Sequence, residues 1–189
     1  MRTYRFFCVI IILLLSLSAK GQETTAALTA QPTVEIKKSA FYLNGKIVKL
    51  PIPSADLERI IGKPDRSKEG ARKISTWDKL GLIAYQKTDS DNFIEIGIVL
   101  NVLENKFDFT PDNPYRGSFT IDGAKLTADS TRNTVNQKKT GPKFRPIPLV
   151  GMLSDYKTGD LNLIMWQAEG RRASGLGKIL QISIAETKK

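Results

Sequence analysis

Hydrophobic and polar positions in this chain alternate mostly with a period of two, in short segments. Phe41-Tyr42-Leu43 and Ile47-Val48 flank Asn44-Gly45. Asn-Gly tolerates positive φ at both central turn positions, so the pattern predicts a type I′ hairpin beginning at Ala40. After Pro51 and Pro53 the period lengthens to about 3.6, with Leu57, Ile60 and Ile61 on one face and Asp56, Glu58 and Arg59 on the other. This spacing predicts one helix of about two turns, capped by Ser54 and ended by a left-handed Gly62. A helix that short must dock its apolar stripe on a sheet.

From Arg72 the period returns to two. Lys73 to Trp77 and Leu82 to Lys87 are expected strands joined by Asp78-Lys79-Leu80-Gly81. In Phe93 to Leu100, Ile94, Ile96, Ile98 and Leu100 are expected on the core face, with Glu95 and Gly97 opposite. Asp108 to Pro114 is turn-rich, and Ser118 to Leu126 repeats the hairpin logic around Asp122-Gly123. Residues 127–148 offer few core side chains beyond Val135, Phe144 and Ile147, and are expected to be a basic exposed loop. Leu161 to Trp166 and Ile179 to Ile184 are further strands, joined by a Gly- and Arg-rich turn. The expected fold is α+β: a mainly antiparallel sheet of about eight strands with one short docked helix.

The N-terminus follows a different pattern. Arg2 and Arg5 precede an apolar run from Phe6 to Leu17, closed by Ser18-Ala19-Lys20-Gly21. That run is too short to span a bilayer and fits a signal peptide cleaved after Gly21. Residues 22–38 are then expected to be a flexible tether, and residues 39–187 a single domain. Cleavage would remove three of the 29 basic residues and none of the 19 acidic ones, leaving a moderately basic chain. It would also remove Cys8, the only cysteine. The mature protein is therefore expected in the periplasm or outside the cell, without disulfides and without a membrane span.

The chain has no histidine, which removes the commonest general base, the commonest metal ligand and every Ser-His or Cys-His pair. No cofactor, metal or catalytic residue is expected. Asp89, Asp91 and Glu95 resemble the opening of a calcium loop, but Ile94 stands where that loop needs glycine. Gly175-Leu176-Gly177-Lys178 meets no phosphate-loop spacing. What remains is recognition chemistry. Lys138, Lys139, Lys143 and Arg145, with Arg171 and Arg172, form basic segments suited to an anionic partner. Trp77, Asp78, Tyr85 and Trp166 are expected on an interaction edge or sheet face.

The order Asn44-Gly45, Ile60-Ile61-Gly62-Lys63-Pro64-Asp65-Arg66, then Trp77-Asp78-x-Leu80-Gly81 resembles an uncharacterised bacterial domain family of unknown function, over about residues 39–126. It carries no catalytic residues across. The Ile60 to Asp65 turn is also similar, at fold level only, to outer-membrane assembly lipoproteins and β-lactamase inhibitor proteins, which bind other proteins through a sheet face. The expectation is a non-enzymatic exported binding module of the bacterial envelope. Its expected partner is a protein or an anionic envelope component, and nucleic acid is disfavoured. Two alternatives stand beside it: an inhibitor or immunity-type protein, and a hydrolase using carboxylates such as Asp78 and Glu95.

Overall fold

Two sheets share one apolar core. The computed structural model describes residues 31–104, 106–168 and 177–187, and the elements below are those of the described residues. The expected signal peptide, most of the expected tether, and Arg171 and Arg172 lie outside them.

The smaller sheet has the order β10-β9-β1-β2-β3. Its hairpins are β2 (Ala40–Leu43) with β3 (Lys46–Val48), and β9 (Phe119–Ile121) with β10 (Ala124–Leu126). Asn44, Gly45, Asp122 and Gly123 all take positive φ, as the Asn-Gly and Asp-Gly pairs require. The central strand is β1 (Val34–Lys37), which pairs antiparallel with β2 and parallel with β9. The domain therefore starts earlier than residue 39. Val34 and Ile36 point inward within a Thr- and Lys-rich stretch, and two alternating apolar side chains suffice once both strand edges are paired.

The larger sheet runs β11-β12-β13-β14-β8-β7-β6-β5, with β4 (Ile52–Pro53) pairing β8 beside that path. Its core strands are β6 (Lys73–Trp77), β7 (Leu82–Gln86), β8 (Asn92–Val99), β13 (Leu161–Gln167) and β14 (Ile179–Glu186). Edge strands β5 (Arg66–Lys68) and β11 (Arg145–Pro146), with β12 (Leu153–Thr158) between β11 and β13, help raise the count to fourteen, above the expected eight. In β12 only Ser154 and Tyr156 are buried, so its polar sequence masks the period.

The inner row runs Met165, Ile182, Ile98, Leu82, Trp77 across five strands, and Leu163, Ile184, Ile96, Ala84, Ser75 beside it. In β8 the register shifts, so that Gln86 opposes Phe93 while Tyr85 opposes Glu95. Ile94 is the extra residue of a bulge, and Phe93 takes the core position expected for it, 1% exposed and edge-on to Trp77.

Helix α1 (Ser54–Ile61) docks Leu57 and Ile61 on this core and ends at Gly62 with φ 87°. Pro53 holds the cap position, and the Ser54 hydroxyl instead donates to the Asp91 carbonyl, joining the helix to the turn before β8. Helix α2 (Arg132–Lys138) lies inside the segment expected to be a loop. It has a single buried apolar residue, Val135, and is nucleated by a Thr131/Thr134 capping box, so periodicity alone gives no signal for it. Among the described residues no helix is long and apolar enough to cross a membrane.

Candidate functional site

The outer face of the larger sheet is crossed by residues 101–104 and 106–113, and an apolar recess lies beneath this segment. An elaborate set of anchors holds the segment there. Arg66 donates to Asp78 twice, Nε to Oδ2 at 2.8 Å and Nη2 to Oδ1 at 2.9 Å. The same guanidinium reaches the carbonyls of Asp108 and Thr110. The Asp78 carboxylate also accepts the Asp112 N–H at 2.9 Å, and its carbonyl accepts from Asn113. The Thr76 hydroxyl donates to the Phe109 carbonyl at 2.9 Å.

Charge follows this geometry. Hydrogen bonding to Arg66 holds the Asp78 carboxyl below the usual carboxylate range, and Asp78 raises Arg66 in turn. Lys68 does the same to Asp108 from the rim.

Below the segment is a recess of about 160 Å³. Tyr85, Val99 and Gln181 contribute from the sheet, with Trp166 and Leu180 at one side and Leu103, Phe107 and Phe109 on the crossing segment. Phe107 and Phe109 stack nearly parallel, 5.3 Å between centroids and 4° between planes. Phe107 is 62% exposed and Trp166 39%, which is high for rings of this size. Tyr85 and Phe109 are shared with a second recess of about 360 Å³, bordered by Ile74, Lys68 and Arg72. Burial raises the Tyr85 phenol above its ordinary value. The two recesses form one groove with an aromatic middle.

The floor depends on Gly97. A Cβ there would stand 2.7 Å from both the Gln181 amide nitrogen and an Ile83 methyl, so its absence lets the Gln181 side chain lie across β8.

The residues expected at an interaction surface have different fates. Tyr85 and Trp166 meet at the groove. Trp77 does not, because its row pairs with Leu82 and Ile98 on the core side; it is 2% exposed and donates Nε1–H to Gly62 at 2.8 Å. Asp78 is an anchor rather than an open carboxylate. Glu95 pairs with Arg72 at 3.2 Å, so the two acids proposed for hydrolysis are each engaged by a different arginine. Lys138, Lys143 and Arg145 are exposed on the segment from α2 to β11.

Lys139 is a correction. Its side chain is fully buried, with Nζ 3.8 Å above the Tyr156 ring, 3.5 Å from Asp122 and donating to the carbonyls of Thr140 and Pro142. Tyr156 completes the cluster by donating to Asp122 at 2.6 Å. Burial lowers the lysine's pKa and raises that of Tyr156. This group staples the β9–β10 hairpin to α2 and β12, and contributes nothing to a basic surface.

Sequence reasoning missed Leu103, Phe107 and Phe109. The available signal was Phe-x-Phe next to turn residues, where large aromatic side chains have no core of their own.

The fold and this groove define an α+β domain of two antiparallel-dominated sheets with an aromatic outer face. The chain belongs to the family described as Domain of unknown function (DUF7738), whose model matches residues 33–136. The match contains Arg66, Asp78, Tyr85, Phe107 and Phe109, and ends before β13 and β14. No curated protein matches. Among solved structures the chain is similar to a cysteine-rich secretory protein (SAV1118) from Staphylococcus aureus subsp. aureus Mu50, at 16% identity and a TM-score of 0.36. The match covers 71% of this chain and 42% of that one, so the chain spans less than half of its length.

Proposed function

We propose that this protein is an exported, non-enzymatic binding module of the bacterial envelope, and that it contacts its partner through the groove on the outer face of the larger sheet. The observation that carries this reading is the exposure of Phe107 and Trp166 beside a preformed recess. Contiguous exposed apolar surface of this kind marks interaction sites. Export rests on the Arg2 to Gly21 pattern. N-terminal analysis of secreted protein is expected to begin at Gln22, and an intact Met1 would remove export from the reading.

Binding is tested by retention on washed envelope preparations. Wild-type protein is compared with Trp166→Ala/Phe107→Ala and with Lys138→Glu/Lys143→Glu/Arg145→Glu. Loss in the aromatic variant alone supports the groove. Loss only in the charge-reversal variant moves the contact to the basic segment and overturns the reading.

A further inference from the structure

We infer that the groove takes a neutral oligosaccharide; this deepens the binding-module reading and rests on it. The first argument is charge. The full chain carries +10, yet the cations around the groove are each matched by a carboxylate. Lys68 pairs with Asp108, Arg72 with Glu95 at 3.2 Å, and Lys106 with Asp112 at 2.5 Å. An anionic ligand would meet Asp108 and Glu69 along with the cations. It would have to break existing pairs to gain its own. A ligand without net charge leaves all three pairs in place.

The second argument is hydrogen-bond type. Paired carboxylates and cations give the rim both acceptors and donors. A proline-rich peptide, the usual occupant of aromatic grooves, presents carbonyl acceptors and lacks the proline N–H. It would leave the rim carboxylates facing acceptors. A sugar hydroxyl both donates and accepts, as any hydroxyl does, and so satisfies both halves of each pair.

The third argument is shape. A pyranose presents a flat face of C–H groups whose positive edge suits the negative face of an aromatic ring. Phe107 offers such a ring at 62% exposure, and Trp166 offers another across the recess. The shallow continuation past Tyr85 toward Ile74 and Arg72 has room for further units, which fits a chain better than one small molecule.

Native electrophoresis tests this with full-length protein in gels containing hydroxyethylcellulose, xyloglucan, galactomannan or soluble starch. Control gels contain polygalacturonate, and decaproline is titrated against Trp166 fluorescence. Retardation is expected in at least one neutral gel, unchanged by salt. Trp166→Ala and, independently, Phe107→Ala are expected to weaken it at least tenfold while thermal unfolding stays cooperative. Phe107 is exposed enough for its variant to fold even if the Trp166 variant does not.

Migration unchanged in all four neutral gels, retardation by polygalacturonate alone, or a response to decaproline alone would each overturn the assignment. If retention on envelope material still depends on Trp166 and Phe107 in those cases, the ligand class falls and the binding module stands.

Discussion

The Arg66 guanidinium grips the Asp78 carboxylate with two hydrogen bonds of 2.8 and 2.9 Å, and from this pair the segment carrying Phe107 and Phe109 is hung across the sheet. Asp78 is only 15% exposed in its side chain, Arg66 38%. Lysine cannot reproduce the fork, so Arg66→Lys loses the paired geometry as well as the contacts to Asp108 and Thr110. Asp78→Asn is expected to lower stability by about 1–2 kcal/mol, the range for charge-assisted hydrogen bonds after discounting for solvent. Hydrogen exchange should speed up at residues 106–112 more than in β8. Because Asp78 titrates lower when folded, its contribution is complete at neutral pH and disappears as pH falls below about 4. Urea denaturation across pH 2–6 should show a shallower acid limb in Asp78→Asn, and an unchanged limb would refute this role.

Gly81 makes the same anchoring system intolerant of any side chain. It has φ 68°, and a Cβ would meet the Tyr115 backbone nitrogen at 2.1 Å. Gly45 has φ 73° with open space around it. Gly81→Ala combines left-handed strain with a backbone collision and is expected to cost about 3 kcal/mol or more. Gly45→Ala carries the strain alone, about 1 kcal/mol. At roughly 2–4 °C per kcal/mol in a chain this size, thermal melts separate the two, and equal shifts would contradict the close approach of Tyr115.

These anchors explain which parts of the molecule were legible in sequence. Asn44-Gly45, Asp122-Gly123 and the Leu57/Ile60/Ile61 spacing state local geometry directly, and the hairpins and α1 follow from them. Trp77 and Tyr85 stand eight residues apart in similar strands, and only the register at Trp77↔Leu82 sends one inward and the other outward. Strand β1 depends on a parallel partner more than eighty residues away, and α2 on a cap, so neither shows in a local window. The basic character of residues 127–148 was plain, but not that Lys139 turns inward to an acid at the far hairpin. For the same reason Asp78 resembled a chemical group in sequence and serves as an anchor once Arg66 arrives from the neighbouring strand.

Lys139 should reveal its burial through pH. Its folded pKa is lowered by desolvation, so above that value the unfolded chain binds more protons and stability rises with pH until the free lysine itself titrates near 10.4. Tyr156, with a raised folded value, opposes this only above about pH 10. Lys139→Met removes the lysine dependence. Wild type is expected to gain stability relative to Lys139→Met between neutral pH and about 10. Lys139→Ala is expected to cost about 3 kcal/mol, because it strips the cation from Asp122 and the donor from two carbonyls. A pH-independent difference in denaturation midpoints would show that Lys139 is solvated.

The two tryptophans report opposite faces of one sheet, which turns the groove into an optical measurement. Trp77 is enclosed among Phe93 and the core, whereas Trp166 is 39% exposed at the recess. Acrylamide is expected to quench the Trp166 component strongly and to spare Trp77. Trp166→Phe should therefore leave blue-shifted, weakly quenched emission. Gly97→Ala places a Cβ 2.7 Å from the Gln181 amide, and the far end of that side chain must swing off β8. The Gln181 amide can yield, but the buried Ile83 methyl, also 2.7 Å from that Cβ, belongs to a stiff β-branched side chain, so the cost is expected at about 1–3 kcal/mol. The Trp166 emission should shift all the same, since Gln181 lines the recess beside it. A shift in Gly97→Ala that vanishes in the Trp166→Phe background would tie β8, β14 and the groove into one surface, and equal quenching of both tryptophans would refute that arrangement.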